Sequence, residues 1–124
     1  MLDAPCTGLG ALRRRPEARW RKTPNDVAEL TKLQQDLLMA SWGALKVGGV
    51  LAYVTCSPHQ AETNAVIDFA EKKLGDSLEI LDAKPVLQDL NPNLALNPAR
   101  KTVQLWPHVH GTDAMYIALL RKTK

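Results

Sequence analysis

The chain is 124 residues long, with 45% hydrophobic and 23% charged residues. This is the profile of one globular domain, able to bury roughly two-thirds of its unfolded surface, and it excludes wholesale disorder. No apolar run nears the roughly 18 residues of a membrane span, and Met1-Leu2-Asp3 does not begin a basic-then-apolar leader. Two cysteines are too few for a disulfide framework, so a reducing, cytoplasmic setting is expected.

The net charge of +3 is unevenly spread. Arg13, Arg14, Arg15, Arg19, Arg21 and Lys22 set six cations against one acid, Glu17; that segment carries +5 and the rest of the chain −2. A local patch of this kind suits a polyanion such as nucleic acid, and equally a solvated basic loop. Trp20, among the arginines, reads either as a stacking residue or as a core anchor.

Residues 4 to 24 carry Pro5, Gly8, Gly10, Pro16 and Pro24 without periodicity and read as loop with a short helical turn. A helix follows, with Thr23 as N-cap, Pro24 as its first residue and Asp26 in its first turn. Val27, Leu30, Leu33, Leu37, Leu38, Ser41, Ala44 and Leu45 form its apolar stripe, and Gly48-Gly49 ends it. Val50 to Thr55 reads as a strand buried on both faces. Ser57, Pro58 and Gln60 have the form of a capping box opening a second helix. Its apolar face is Ala61, Ala65, Val66, Phe69, Ala70 and Leu74, and Gly75 stops it. Leu78 to Leu81 reads as a strand, 84 to 100 as a turn-rich loop, Thr102 to Trp106 as a short strand and Met115 to Leu120 as a strand. The order is α/β. Leu2-Asp3 looks like the end of a strand, and the whole reads as the second half of a doubly wound sheet.

In an open α/β sheet, functional groups gather at the carboxyl ends of strands. Cys56 stands there. A helix starting at Ser57 would favour its thiolate and make it a candidate nucleophile; the alternative is a small buried apolar residue. If Leu2-Asp3 ends a strand, Cys6 reaches the same edge and the two thiols converge, with a disulfide as the competing reading. Gly8-Leu9-Gly10 is a weak hint of a nucleotide loop. His108, His110 and Asp113 have the spacing of a loop edge, and no metal site is expected of them. Glu62 faces either the cleft or solvent, and Asn64 reads as a surface residue.

Asp3-Ala4-Pro5-Cys6-x-Gly-x-Gly, Arg13-Arg14-Arg15-Pro16-Glu17-x-Arg19-Trp20, Gly48-Gly49-x-Leu51-x-Tyr53-x-Thr55-Cys56-Ser57, Glu62 and Leu105-Trp106-Pro107-His108-x-His110-x-x-Asp113 appear in this order. Together they resemble the NOL/NOP/Sun family of RNA cytosine-5 methyltransferases, and most of all its bacterial RsmB (Sun/Fmu) branch, which acts on 16S ribosomal RNA. The resemblance covers essentially the whole chain. It implies the C-terminal half of a Rossmann-like class I methyltransferase fold, with an incomplete sheet of mixed parallel and antiparallel strands. Residues 1 to 124 would be the C-terminal portion of a catalytic domain whose cofactor-binding half lies upstream of Asp3, and the chain alone is expected to be inactive. It further implies S-adenosylmethionine as cofactor, with Asp3 and Pro5 beside it, and ribosomal RNA as partner. Cys56 matches the nucleophile that adds to C6 of cytosine, Cys6 the residue that resolves the adduct, and Asp3 the acid near N3 of the ring. Arg13, Arg14, Arg15 and Arg19 match the RNA-binding segment. The family's Asp-Gly-Phe reads Asp113-Ala114-Met115 here, and its Glu-Asn reads Glu62-Thr63, as in a divergent branch. An uncovered sheet edge is expected to pair with a second copy of the chain. An RNA-binding remnant without catalysis, and a thiol redox or zinc protein, are the competing readings.

Overall fold

A computed structural model describes residues 1–124. Five strands form one mixed sheet: β1 (Leu2–Asp3), β2 (Val50–Thr55), β3 (Leu78–Leu81), β4 (Val103–Gln104) and β5 (Tyr116–Lys122). The spatial order is β1-β2-β5-β3, and β4 also pairs with β5. Only β1 and β2 run parallel, with Leu2 opposite Tyr53 and Asp3 opposite Val54; β2, β3 and β4 are antiparallel to β5. The helices are α1 (Pro24–Ala44), α2 (Asn64–Leu74), α3 (Lys84–Leu90) and α4 (Pro107–His110). None is long and apolar enough to cross a membrane.

α1 begins as expected. The Thr23 hydroxyl accepts from the Asp26 N–H, and the Thr23 N–H donates to the Asp26 carboxylate at 2.7 Å. At the other end Lys122 Nζ donates to the Trp42 and Leu45 carbonyls at 3.1 and 2.9 Å, satisfying acceptors the helix leaves open. The buried stripe differs from the expected one. It runs Gln34, Leu38, Trp42, while Leu33 and Ala44 face solvent. The residues four apart are those that meet the sheet, and one of them is polar.

β2 is not buried on both faces. Leu51, Tyr53 and Thr55 are buried, Ala52 and Val54 only partly, and Val50 is exposed. The reason is that α1 and α2 cover one face. Leu38 and Trp42 from α1, and Val66, Ile67 and Ala70 from α2, pack with Leu51, Tyr53, Tyr116, Ala118 and Leu120 in one core. The opposite face, with Ala52, Val54, Ile117 and Leu119, has no helix over it and is half-buried.

Two further expectations need correction. The second helix does not start at Ser57. A single 3-10 turn, Gln60–Glu62, comes first and α2 begins at Asn64; the Ser57 hydroxyl donates to the buried Glu62 carboxylate and accepts the His59 N–H two residues on, closing a tight turn instead of capping a helix. On α2, Ala65 is exposed and Ile67 is buried. The segment 84 to 100 is not all loop. Lys84–Leu90 is helical, with Pro85 in its first turn where a missing N–H costs nothing.

Candidate active site

The parallel pairing of β1 with β2 brings both strand ends to the same edge. The Ala4 N–H continues the ladder onto the Val54 carbonyl at 2.9 Å. The chains then diverge just enough for Cys6 and Cys56 to face one another, Sγ to Sγ at 3.4 Å, as free thiols. Fifty positions of sequence separate them. Burial and the hydrogen bond with Cys56 push the Cys6 thiol up to about 12. Cys6 therefore keeps its proton, within hydrogen-bond reach of the Cys56 sulfur. No helix begins behind Cys56, so the helix-dipole argument for an activated thiolate does not apply; its neighbour is the Cys6 thiol.

What holds the two thiols together is Glu62, fully buried beneath them. Its carboxylate accepts from the Thr7 N–H at 2.7 Å and the Gln34 amide at 3.2 Å on one oxygen. The other oxygen accepts from the Thr7 hydroxyl at 2.7 Å and the Ser57 hydroxyl at 2.5 Å. Thr7 follows Cys6 and Ser57 follows Cys56, so one side chain fastens both cysteine-bearing loops. Four donors, and no cation among them, compensate a buried carboxylate. The Gln34 amide reaches the Pro5 carbonyl as well, at 2.9 Å, and Tyr53 OH donates to the Glu62 carbonyl at 2.9 Å. Glu62 thus faces inward under the cleft, and solvent does not reach it.

Gly10 closes the arrangement. Its N–H donates to the Cys56 carbonyl at 2.9 Å, and its carbonyl accepts from the Ala114 N–H at 2.8 Å. A Cβ there would lie 2.2 Å from the Ala114 carbonyl oxygen and 2.7 Å from that of Cys56. The Gly8-Leu9-Gly10 stretch is a close-packing device at this edge. Gly8 supplies a left-handed turn at φ 72°.

The cleft over the sulfurs has a volume near 500 Å³ and is walled by Arg14, Arg15, Arg21 and Lys22, with Glu17 the one acid among them. Asp113 arrives from the far end of the chain. It accepts from Arg13 at 2.8 Å and from Arg14 in a two-pronged contact, Nε to Oδ1 at 3.2 Å and Nη2 to Oδ2 at 2.6 Å. These arginines hold its carboxyl down at about 2. The chain-terminal motif is therefore the anchor of the arginine loop. His110 Nδ1 accepts from the Trp106 N–H and its Nε2 meets the Ala95 carbonyl, so this histidine braces its own loop.

The structure gathers Cys6, Cys56, Arg14 and Arg15 on one cleft. It does not bring the other candidates there. Asp3 and Pro5 are exposed at the end of β1, and none of the four cavities includes either. Arg13 is spent on Asp113 and the Gly111 carbonyl. Arg19 lies over the ring of Trp20 at 4.5 Å and lines a neighbouring groove. Trp20 is 78% exposed and is no core anchor. Asn64 is half-buried and accepts from Tyr116 OH at 3.1 Å. The sequence reading missed Thr7, Gln34 and the true partner of Ser57. Gln34, a polar residue at the centre of an apolar helix face, was the one available signal.

Comparison with known proteins agrees with this architecture. A family model for the 16S rRNA methyltransferase RsmB/F matches residues 1–121. A Mycobacterium tuberculosis (strain H37Rv) protein named as a methyltransferase is 52% identical over 122 residues, 98% of this chain and 26% of its own length. The ribosomal RNA small subunit methyltransferase F of Aeromonas salmonicida is 38% identical over 98% of this chain and 25% of its own. The crystal structure of NSun6 from Pyrococcus horikoshii, solved with SFG, superposes with a TM-score of 0.78 at 28% identity, covering 99% of this chain and 29% of that one. The chain thus spans about a quarter of the length of the curated relatives it matches. On the family match and the shared fold, the chain belongs to the 16S rRNA methyltransferase RsmB/F family.

Proposed function

We propose that this chain supplies the base-handling part of an S-adenosylmethionine-dependent RNA cytosine-5 methyltransferase, with Cys56 as nucleophile. The observation that supports it is the pair of thiols at 3.4 Å, one of them raised to about 12 and so acting as the proton holder for the other. The Cys6 thiol stabilises a Cys56 thiolate by hydrogen bonding. Cys56 Sγ then adds to C6 of cytosine: the S–C6 bond forms, the C5=C6 double bond opens, and C5 becomes nucleophilic. For product release C5 gives up its proton, the C5=C6 bond reforms and Sγ leaves. The C5 proton passes to solvent, and the protonated Cys6 thiol stabilises the departing Cys56 thiolate by hydrogen bonding. Asp3 is assigned to the N3 edge of the ring and Arg14 and Arg15 to the backbone of ribosomal RNA. The base must be unpaired or flipped to reach this depth.

The cofactor supplies a methyl group to C5 when bound. Asp3 and Pro5 stand on an open edge and share no cavity, so this chain presents a border of a cofactor site and no adenosyl pocket of its own. Methylation by the chain alone is therefore not expected, but the thiol addition is.

Addition and reversal at C6 exchange the C5 hydrogen with solvent without any cofactor. The test is deuterium incorporation at C5 of cytidine in a single-stranded RNA incubated with the chain in D2O. Exchange that disappears in Cys56→Ser supports the reading. No exchange, with salt-sensitive RNA binding retained in Cys56→Ser, would instead make the chain an RNA-binding module without chemistry, a reading that the arginines of the cleft wall also support.

A further inference from the structure

We infer that the groove next to the cysteine cleft binds the nucleotide flanking the target cytosine in single-stranded RNA, with Lys22 and Lys32 on its phosphate. This rests on the reading that the cleft receives an RNA cytosine. The groove has a volume near 820 Å³, larger than the cleft itself and within the range that buries small ligands. Arg19, Lys22 and Lys32 are among its twelve lining residues, and no Asp or Glu is. Its floor is apolar, built from Leu9, Val27 and Ala61.

That floor is rigid. The Thr31 hydroxyl donates to the Val27 carbonyl at 2.8 Å and lies 3.2 Å from the Ala61 carbonyl, tying α1 to the turn that carries Glu62. His59 Nδ1 accepts from the Ala61 N–H at 3.2 Å. The neutral ring then carries its proton on Nε2, a donor available at the rim. At the N-terminus of α1 the Asp26 and Val27 amides are already taken by Thr23, and Pro24 has none, so the helix end is not counted among the phosphate donors.

Two features decide for RNA over an acidic peptide. Lys22 lines both the groove and the cysteine cleft, so one strand can run from one to the other without leaving the cations. An apolar floor under a cationic rim also matches a base lying flat below its phosphate. Lys32 pairs with Asp36 at 2.8 Å, but both side chains are exposed, and such a pair yields readily to a phosphate.

The test uses the full chain and a fluorescent single-stranded oligoribonucleotide containing one cytidine, read by anisotropy over a range of salt. Lys22→Glu with Lys32→Glu is expected to weaken binding about tenfold and to lower the salt slope by roughly 0.7, the value for one single-strand phosphate contact. Val27→Trp fills the groove without changing charge and is expected to weaken binding several-fold; Ala28→Trp replaces it if it melts early. Exposed Lys72→Glu on α2 is the control and should change little. Wild-type affinity in the groove variants, with weakened binding in the cleft variant Arg15→Ala, would overturn this inference and leave the cleft reading standing. Equal competition by polyglutamate would also overturn it. Failure of the wild-type chain to bind RNA, together with absent C5 exchange, would remove both.

Discussion

Replacing Glu62 by Gln puts the two-loop clamp to a direct test. The amide is nearly isosteric, so no cavity opens, but one acceptor becomes a donor. On the oxygen facing the Thr7 N–H and the Gln34 amide, an NH2 group would meet two donors. On the other it meets the hydroxyls of Thr7 and Ser57, which can turn to accept. The NH2 therefore settles on the hydroxyl side, and all four bonds lose their charged acceptor. A bond to a charged group contributes about 1.5–3 kcal/mol and a neutral one about 0.5–1.5 kcal/mol. Over four partly compensated bonds the expected loss is about 2–4 kcal/mol, a large part of a small domain's stability. In a domain of this size that lowers Tm by roughly 10 °C. The second readout is specific to the clamp: diamide, which takes one hydrogen from each thiol to close a disulfide, should oxidise Cys6 and Cys56 more slowly once the loops drift from their 3.4 Å contact. Exposed Glu71→Gln is the control. A melting point within about 1 °C of wild type, and unchanged closure, would refute the reasoning.

Other expectations follow from the same geometry. With Cys6 raised to about 12, its thiolate fraction at about pH 8 is on the order of one in ten thousand; mass spectrometry after brief iodoacetamide treatment should find Cys56 labelled first, and equal labelling would contradict it. Gly10→Ala drives a Cβ into two backbone carbonyls that cannot yield, and the melt should show a loss of about 3 kcal/mol or more. Asp113→Asn frees the arginine loop, so trypsin should cut after Arg13 and Arg14 several-fold faster. In the parent, because Asp113 is held at about 2 against its ordinary 3.8, that tie is complete above the ordinary value and is lost as pH falls through about 2. β1 has a partner on one side only, so sedimentation should reveal a concentration-dependent dimer; a single monomer at all concentrations would refute edge pairing.

Local signals carried the elements well. Thr23, Pro24 and Asp26 announce the start of α1 because capping is decided within four residues. Val50 to Thr55 and the run after Met115 are strands because apolar β-formers bounded by turn residues have few alternatives. The motifs around Cys6 and Cys56 were also legible, and with them the family. Other features were not legible, because they depend on partners far away in the chain. Ser57 has the spacing of a helix cap, but its oxygen accepts only the His59 N–H of a tight turn, and its proton goes to a buried carboxylate whose other donors come from Thr7 and Gln34. Half of the β2 surface is open because both helices cross the sheet on one side, which periodicity within β2 cannot express. Asp113 meets Arg13 and Arg14 across a hundred residues, where charge alone names no partner. The sequence by itself thus determined most of the strands, the start of α1 and the motif residues that mark the family. The tertiary structure decided what those residues touch: a pair of sulfurs at 3.4 Å exists only because a parallel ladder aligns two strand ends and one buried glutamate bonds to both loops.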